Sequence, residues 1–161
     1  VKLRESVVSE ADEYGVRSFV YRARRPFHPQ RFWNALHADW PGLLRAKGIF
    51  WLATRLDRMG VWNQAGPVAR IQGGNYWWAA VSPDLYPDDD EFRTRLTKIW
   101  DAQVGDCRQE LVFIGVDMPE NELRRQLDNA LLTSDEMRGG VEYWLNFYDP
   151  IPAWPNPEST N

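Results

Sequence analysis

Hydrophobic residues along the chain fall into short blocks whose spacing changes from one block to the next. Val16 to Ala23 carries the β-prone residues Val16, Phe19, Val20 and Tyr21 and ends at Arg24-Arg25-Pro26, which predicts a strand. Pro29 then suits a first helical turn, and Phe32, Trp33, Leu36 and Trp40 recur along one helical face until Pro41-Gly42 stops it. Leu43 to Thr54 and Val61 to Val81 are rich in Ile, Val, Phe and Trp. Breaks at Asp57 to Gly60 and at Gly73-Gly74-Asn75 divide this region into three predicted strands joined by hairpin-like turns, with Gly73-Gly74 as the second turn.

Pro83 and Pro87 mark a loop, and Asp88, Asp89, Asp90 and Glu91 set negative charge at the positive end of a following helix dipole. Phe92, Leu96, Ile99 and Trp100 form the expected buried stripe of that helix, and Gly105-Asp106 ends it. Leu111-Val112-Phe113-Ile114 is a continuous apolar run, the pattern of an interior strand. Asp117-Met118-Pro119-Glu120 has the form of a capped helix start, with Asp117 as cap, Pro119 in the first turn and Glu120 reaching back. Leu123, Leu127, Ala130 and Leu131 make the inner face of that helix. Strand, helix, three strands, helix, strand, helix predicts an α+β domain: two layers, a mainly antiparallel sheet of about five strands, and helices packed on one face. Polar, acidic residues 1–14 are expected to be a linker or disordered arm, residues 15–149 the packed domain, and residues 150–161, with four prolines from Pro150 to Pro157, an extended tail.

Composition narrows the function classes. With 161 residues, 43% hydrophobic and 26% charged, the chain has the size and mixture of one globular domain. Nine Trp, six Tyr and seven Phe supply unusually many rings, either for a core or for flat contact surfaces. A net charge of -4 argues against a general electrostatic grip on nucleic acid or on an anionic membrane. No run approaches the roughly 20 apolar residues that span a bilayer, and Val1-Lys2-Leu3-Arg4-Glu5 lacks the apolar stretch of a secretion signal. The single cysteine, Cys107, excludes an internal disulfide and fits a reducing cytoplasm. The chain opens on Val1 and not on Met, so a segment ahead of it is expected.

Candidate chemistry is sparse. No G-x-x-x-x-G-K-S/T run exists to cradle phosphates, so the chain is expected to be no enzyme and to hold no catalytic residues. His28, His37 and Cys107 are scattered donors for a metal; a helix cap for His28 and a helix end for His37 explain them as well. Cys107, between Asp106 and Arg108, reads as an inert thiol, although Arg108 could lower its pKa and a base such as His28 or His37 could make it a nucleophile. Arg22, Arg24 and Arg25, followed by Phe27, could grip a phosphate or an acidic partner, the plain alternative being a solvated strand end. Tyr76-Trp77-Trp78 could stack on sugars or bases. Neighbours in a strand point to opposite faces, so one of Trp77 and Trp78 must meet solvent, a partner or a covering segment of the same domain.

Five blocks in order carry a family resemblance. Gly15 to Phe32 (GVRSFVYRARRPFHPQRF), Lys47 to Arg55 (KGIFWLATR), Gln72 to Ala80, Gly105 to Gly115 (GDCRQELVFIG) and Leu127 to Glu136 (LDNALLTSDE) together resemble the C-terminal domain of the CobW-like P-loop GTPases, a family of zinc chaperones and nitrile hydratase activators. The resemblance implies a cytoplasmic metallochaperone in which an N-terminal domain, lacking here, binds GTP and Mg, carries a Cys-rich zinc motif and hydrolyses nucleotide. This domain would then present a surface to that GTPase domain or to a client metalloprotein. The candidates for that surface are Arg22, Arg24, Arg25, Phe27, His28, Tyr76, Trp77, Trp78 and Arg108. Cys107 stands where relatives commonly have Arg, and the His-rich stretch of some relatives is missing. The rival expectation is a stand-alone small-ligand or carbohydrate-binding module built on Tyr76, Trp77 and Trp78.

Overall fold

A computed structural model describes residues 15–156; the expected arm at 1–14 and the last tail residues, 157–161, lie outside the described residues. Five strands, β1 (Val16–Ala23), β2 (Leu43–Leu52), β3 (Arg55–Ala65), β4 (Val68–Tyr76) and β5 (Gln109–Val116), form one sheet in the order β1-β5-β2-β3-β4. Every neighbouring pair is antiparallel. The helices are α1 (Pro29–Leu36), α2 (Asp90–Ile99), α3 (Glu120–Asp128), α4 (Ser134–Gly139) and α5 (Val141–Trp144). The α+β class follows the sequence pattern.

One face of the sheet is the core. Phe19, Tyr21, Phe50, Trp62, Leu111 and Phe113 point to it and meet Phe32 and Leu36 of α1 and Leu123 and Leu127 of α3. Phe19 stacks on Phe113 with centroids 5.0 Å apart, and Trp40 stacks on the same Phe113 at 5.3 Å. α1 ends at Leu36, four residues before Trp40; that indole stays buried by donating to the Ala35 carbonyl at 2.9 Å. Gln109, fully buried at the base of β5, satisfies itself by accepting from the Trp51 amide and donating to the carbonyls of Arg25 and Trp51.

Two expected turns lie inside strands. Asp57 to Gly60 belongs to β3, and Gly73-Gly74 belongs to β4; the chain reverses instead at Ala53-Thr54 and Gly66-Pro67. The glycines are there because larger groups cross them. The Phe50 ring lies on Gly60, Arg58 and Trp154 lie over Gly73, and Met59 and Val61 lie over Gly74.

Three other boundaries differ from the pattern. Asp117 sits at φ 52 and does not cap α3, which begins at Glu120 after Pro119 without a side-chain cap. Glu120 instead pairs with Arg124 at 3.0 Å. The stripe of α2 is only partly buried: Phe92 packs on Trp78 and Tyr86, but Leu96 and Ile99 are half-buried and Trp100 is 42% exposed. Residues 150–156 have no helix or strand but are tied down, with Ile151 in the core, Trp154 beneath the Arg55 guanidinium at 4.4 Å, and Asp149 paired with Arg55 at 2.9 Å.

Candidate functional site

The arginines after β1 are largely spent on the fold. Arg24 donates to three carbonyls, Ile99 at 2.5 Å, Gly105 at 2.9 Å and Cys107 at 3.3 Å, tying β1 to the end of α2 and the loop beyond. Arg25 reaches the Leu132 carbonyl and the Ser134 hydroxyl. Phe27 is fully buried, because its amide donates to the Trp51 carbonyl while its ring stacks on Phe32 at 4.6 Å. It cannot be a contact residue in this fold. Arg108 donates to the Asp106 carbonyl and shares Glu110 with Arg22, whose side chain is 68% exposed.

His28 caps α1. Its Nδ1 accepts from the amides of Gln30 at 3.2 Å and Arg31 at 3.4 Å, and its ring lies against Phe147. Burial, reinforced by the Arg31 charge, lowers its pKa, and an unprotonated Nδ1 is what the cap requires. Beside it Glu136 is held down to about 2, first by its hydrogen bonds from Arg31, joining α4 to α1.

The aromatic triplet does not form a platform. Only Tyr76 is exposed. Trp77 is fully buried in a second cluster with Trp51 and Cys107, and Trp78 starts a 3-10 turn and packs edge-on against Phe92 at 4.8 Å. Asp106, 2% exposed, holds this turn by accepting from the Trp78 and Ala79 amides, both at 2.9 Å. Covering by the same domain therefore wins over an open stacking surface for Trp77, and a sugar-binding ladder of three rings is not built.

The scattered donors have other partners: His28 Nδ1 accepts from backbone amides, His37 Nδ1 lies 2.8 Å from the Trp33 carbonyl, and burial followed by the Asp106 charge pushes the Cys107 thiol up to about 12. Among the described residues no three His, Cys, Asp or Glu side chains cluster as metal ligands. A thiol so protonated is also a poor nucleophile.

Sequence reasoning passed over a partly exposed apolar feature, the second face of the sheet. By strand alternation, Val20 and Arg22 of β1, Glu110, Val112 and Ile114 of β5, and Arg45, Lys47 and Ile49 of β2 all point there. In register, Val20 and Lys47 flank Val112, and Arg22 and Ile49 flank Glu110, around a shallow depression of about 610 Å³. Segment 77–107 covers this face only at its Trp51 end. The Leu111 to Ile114 run was the available signal: a strand apolar on both sides asks for cover on both sides.

No helix among the described residues is long and apolar enough to cross a membrane. The family model for the cobalamin synthesis protein cobW C-terminal domain matches residues 16–131. The chain is 40% identical over 154 residues to the zinc-regulated GTPase metalloprotein activator 1 of Dictyostelium discoideum, covering 93% of this chain and 32% of that protein. It is 30% identical over 135 residues to a zinc chaperone of Mycobacterium tuberculosis, covering 83% of this chain and 34% of that protein. The chain thus spans about a third of the length of these curated relatives. In fold it is similar to the Zn(II)-bound YjiA GTPase of E. coli, with a TM-score of 0.50, 17% identity, and coverage of 76% of this chain and 32% of that one. With residues 16–131 matched and the five-stranded antiparallel sheet in place, the chain belongs to the family of CobW C-terminal domains.

Proposed function

We propose that this chain is the partner-binding module of a longer, GTP-dependent zinc chaperone of the cytoplasm. GTP and Mg are bound, and GTP is hydrolysed, by the rest of that polypeptide, and zinc is its cargo. The observation that carries the reading is the match over nearly the whole chain to one third of a zinc-regulated GTPase activator. The lone, buried, protonated Cys107 and the dispersed histidines support a role in holding proteins together over one in holding metal. Of the sequence candidates, Arg22, Arg25 and Tyr76 still face outward enough to touch a partner, while the Arg108 side chain is only 15% exposed.

Fluorescent GTP-analogue binding and phosphate release test the reading. The 161-residue chain is expected to be silent in both assays. The same chain extended by what its gene encodes ahead of Val1 is expected to hydrolyse GTP and to transfer zinc to a client. Hydrolysis by the pure short chain would overturn the proposal.

A further inference from the structure

We infer that the uncovered face of β1, β5 and β2 seats the nucleotide-binding region of the longer polypeptide, which meets it with a surface of aliphatic side chains flanked by carboxylates. This rests on the proposed function and adds where and by what chemistry the two parts join.

Four observations lead there. An antiparallel sheet face turned to water normally alternates apolar-in with polar-out, and the outward positions of β5 break that rule with Val112, 36% exposed, and Ile114. Val20 and Ile49 extend these two into a contiguous aliphatic patch. Its rim is cationic: Arg45 and Lys47 make no ion pair among the described residues, and Arg22 and Arg108 have one carboxylate, Glu110, between them. On a chain of net charge -4 this is a local reversal of sign, and the surface that complements it is acidic.

Position gives the occupant. The matched domain is C-terminal in its family and the chain spans 32% of its Dictyostelium relative, so most of such a polypeptide precedes it. The described chain enters through Gly15 into β1, the edge strand that borders this face. Whatever precedes is tethered next to the patch, and a tether of this kind supplies a millimolar effective concentration, so a modest contact suffices.

A thiol placed on the patch reads the contact directly, because native Cys107 is buried and protonated and stays silent toward alkylating reagents. Val112→Cys is made both in the 161-residue chain and in the extended polypeptide, with Leu145→Cys, 55% exposed and outside the patch, as reference. Alkylation by iodoacetamide at Val112→Cys is expected to be roughly 100-fold slower in the extended polypeptide, the ratio of millimolar effective concentration to a contact of about 10 µM affinity. Leu145→Cys should react alike in both. Adding Arg45→Glu and Lys47→Glu should restore most of the lost reactivity. Equal reactivity of Val112→Cys in the two forms, while the extended form still hydrolyses GTP, overturns this inference and leaves the proposed function standing. Protection that charge reversal does not relieve overturns its acidic partner. An extended form without GTP hydrolysis removes the proposed function and this inference together.

Discussion

The two faces of the sheet are built from alternate residues of the same strands and have opposite fates. Phe113 points to α1 and α3 and is stacked between Phe19 and Trp40, whereas its neighbours Val112 and Ile114 point the other way, Val112 staying 36% exposed and Ile114 half-buried. On the first face most apolar side chains pack within the domain, and a depression of about 840 Å³ stays open beside Trp33, Trp40, Leu43, Ala69 and Ile71. On the second, segment 77–107 supplies cover only around Trp51, anchored by Trp77 and Cys107. The difference teaches that one face, the more closed, carries most of this domain's packing, and on our proposal the other, more open one serves association.

That division can be broken by substitution. Trp62→Ala, in the middle of the closed face, is expected to cost about 3–5 kcal/mol in urea unfolding, since the cavity it leaves lies among Phe32, Trp40 and Phe113. Asp106→Ala, under the segment that covers the Trp51 end, should cost about 2–3 kcal/mol by stranding two backbone amides, with a shift in tryptophan emission as Trp78 loosens. Asp106→Asn, which keeps one accepting oxygen, should cost less. His28→Ala removes the cap of α1 and should cost about 1 kcal/mol.

The same histidine makes the closed face sensitive to acid. Its folded pKa is lowered by burial and by Arg31, so on acidification the unfolded chain binds the proton first, near pH 6.5. The stability His28 contributes is therefore full above that pH and is lost as pH falls through the lower folded value. Melting temperature measured between pH 8 and pH 5 should drop less steeply in His28→Asn, which caps without titrating. Smallest of all, Val112→Thr on the open face should change unfolding free energy by no more than about 0.5 kcal/mol. A large loss there would mean that the patch is part of this domain's own core.

Element order, the strand at Leu111 to Ile114 and the Pro29 helix were legible because periodicity reports which side of a local element is apolar. What periodicity could not report is which segment lies across which. Gly60, Gly73 and Gly74 carry turn chemistry, but Phe50, Arg58 and Met59 reach them only after the strands have paired. Phe27 and Trp77 looked like contact residues for the same reason, since the backbone bonds that bury them come from Trp51 and Asp57, distant in sequence. Of the proposed surface, Arg22 was singled out from its arginine cluster; Arg45, Lys47 and Val112 share no motif and become neighbours only through strand register.

The Arg24 guanidinium, bonded to three carbonyls on the far side of the 77–107 excursion, has a mechanical consequence. To swing that excursion away from the sheet, all three acceptors must be surrendered together, so the long insertion between β4 and β5 moves with β1 as one body. A protein that pulled on the exposed Trp100 would thus be pulling on the first strand of the domain, and on whatever polypeptide leads into it.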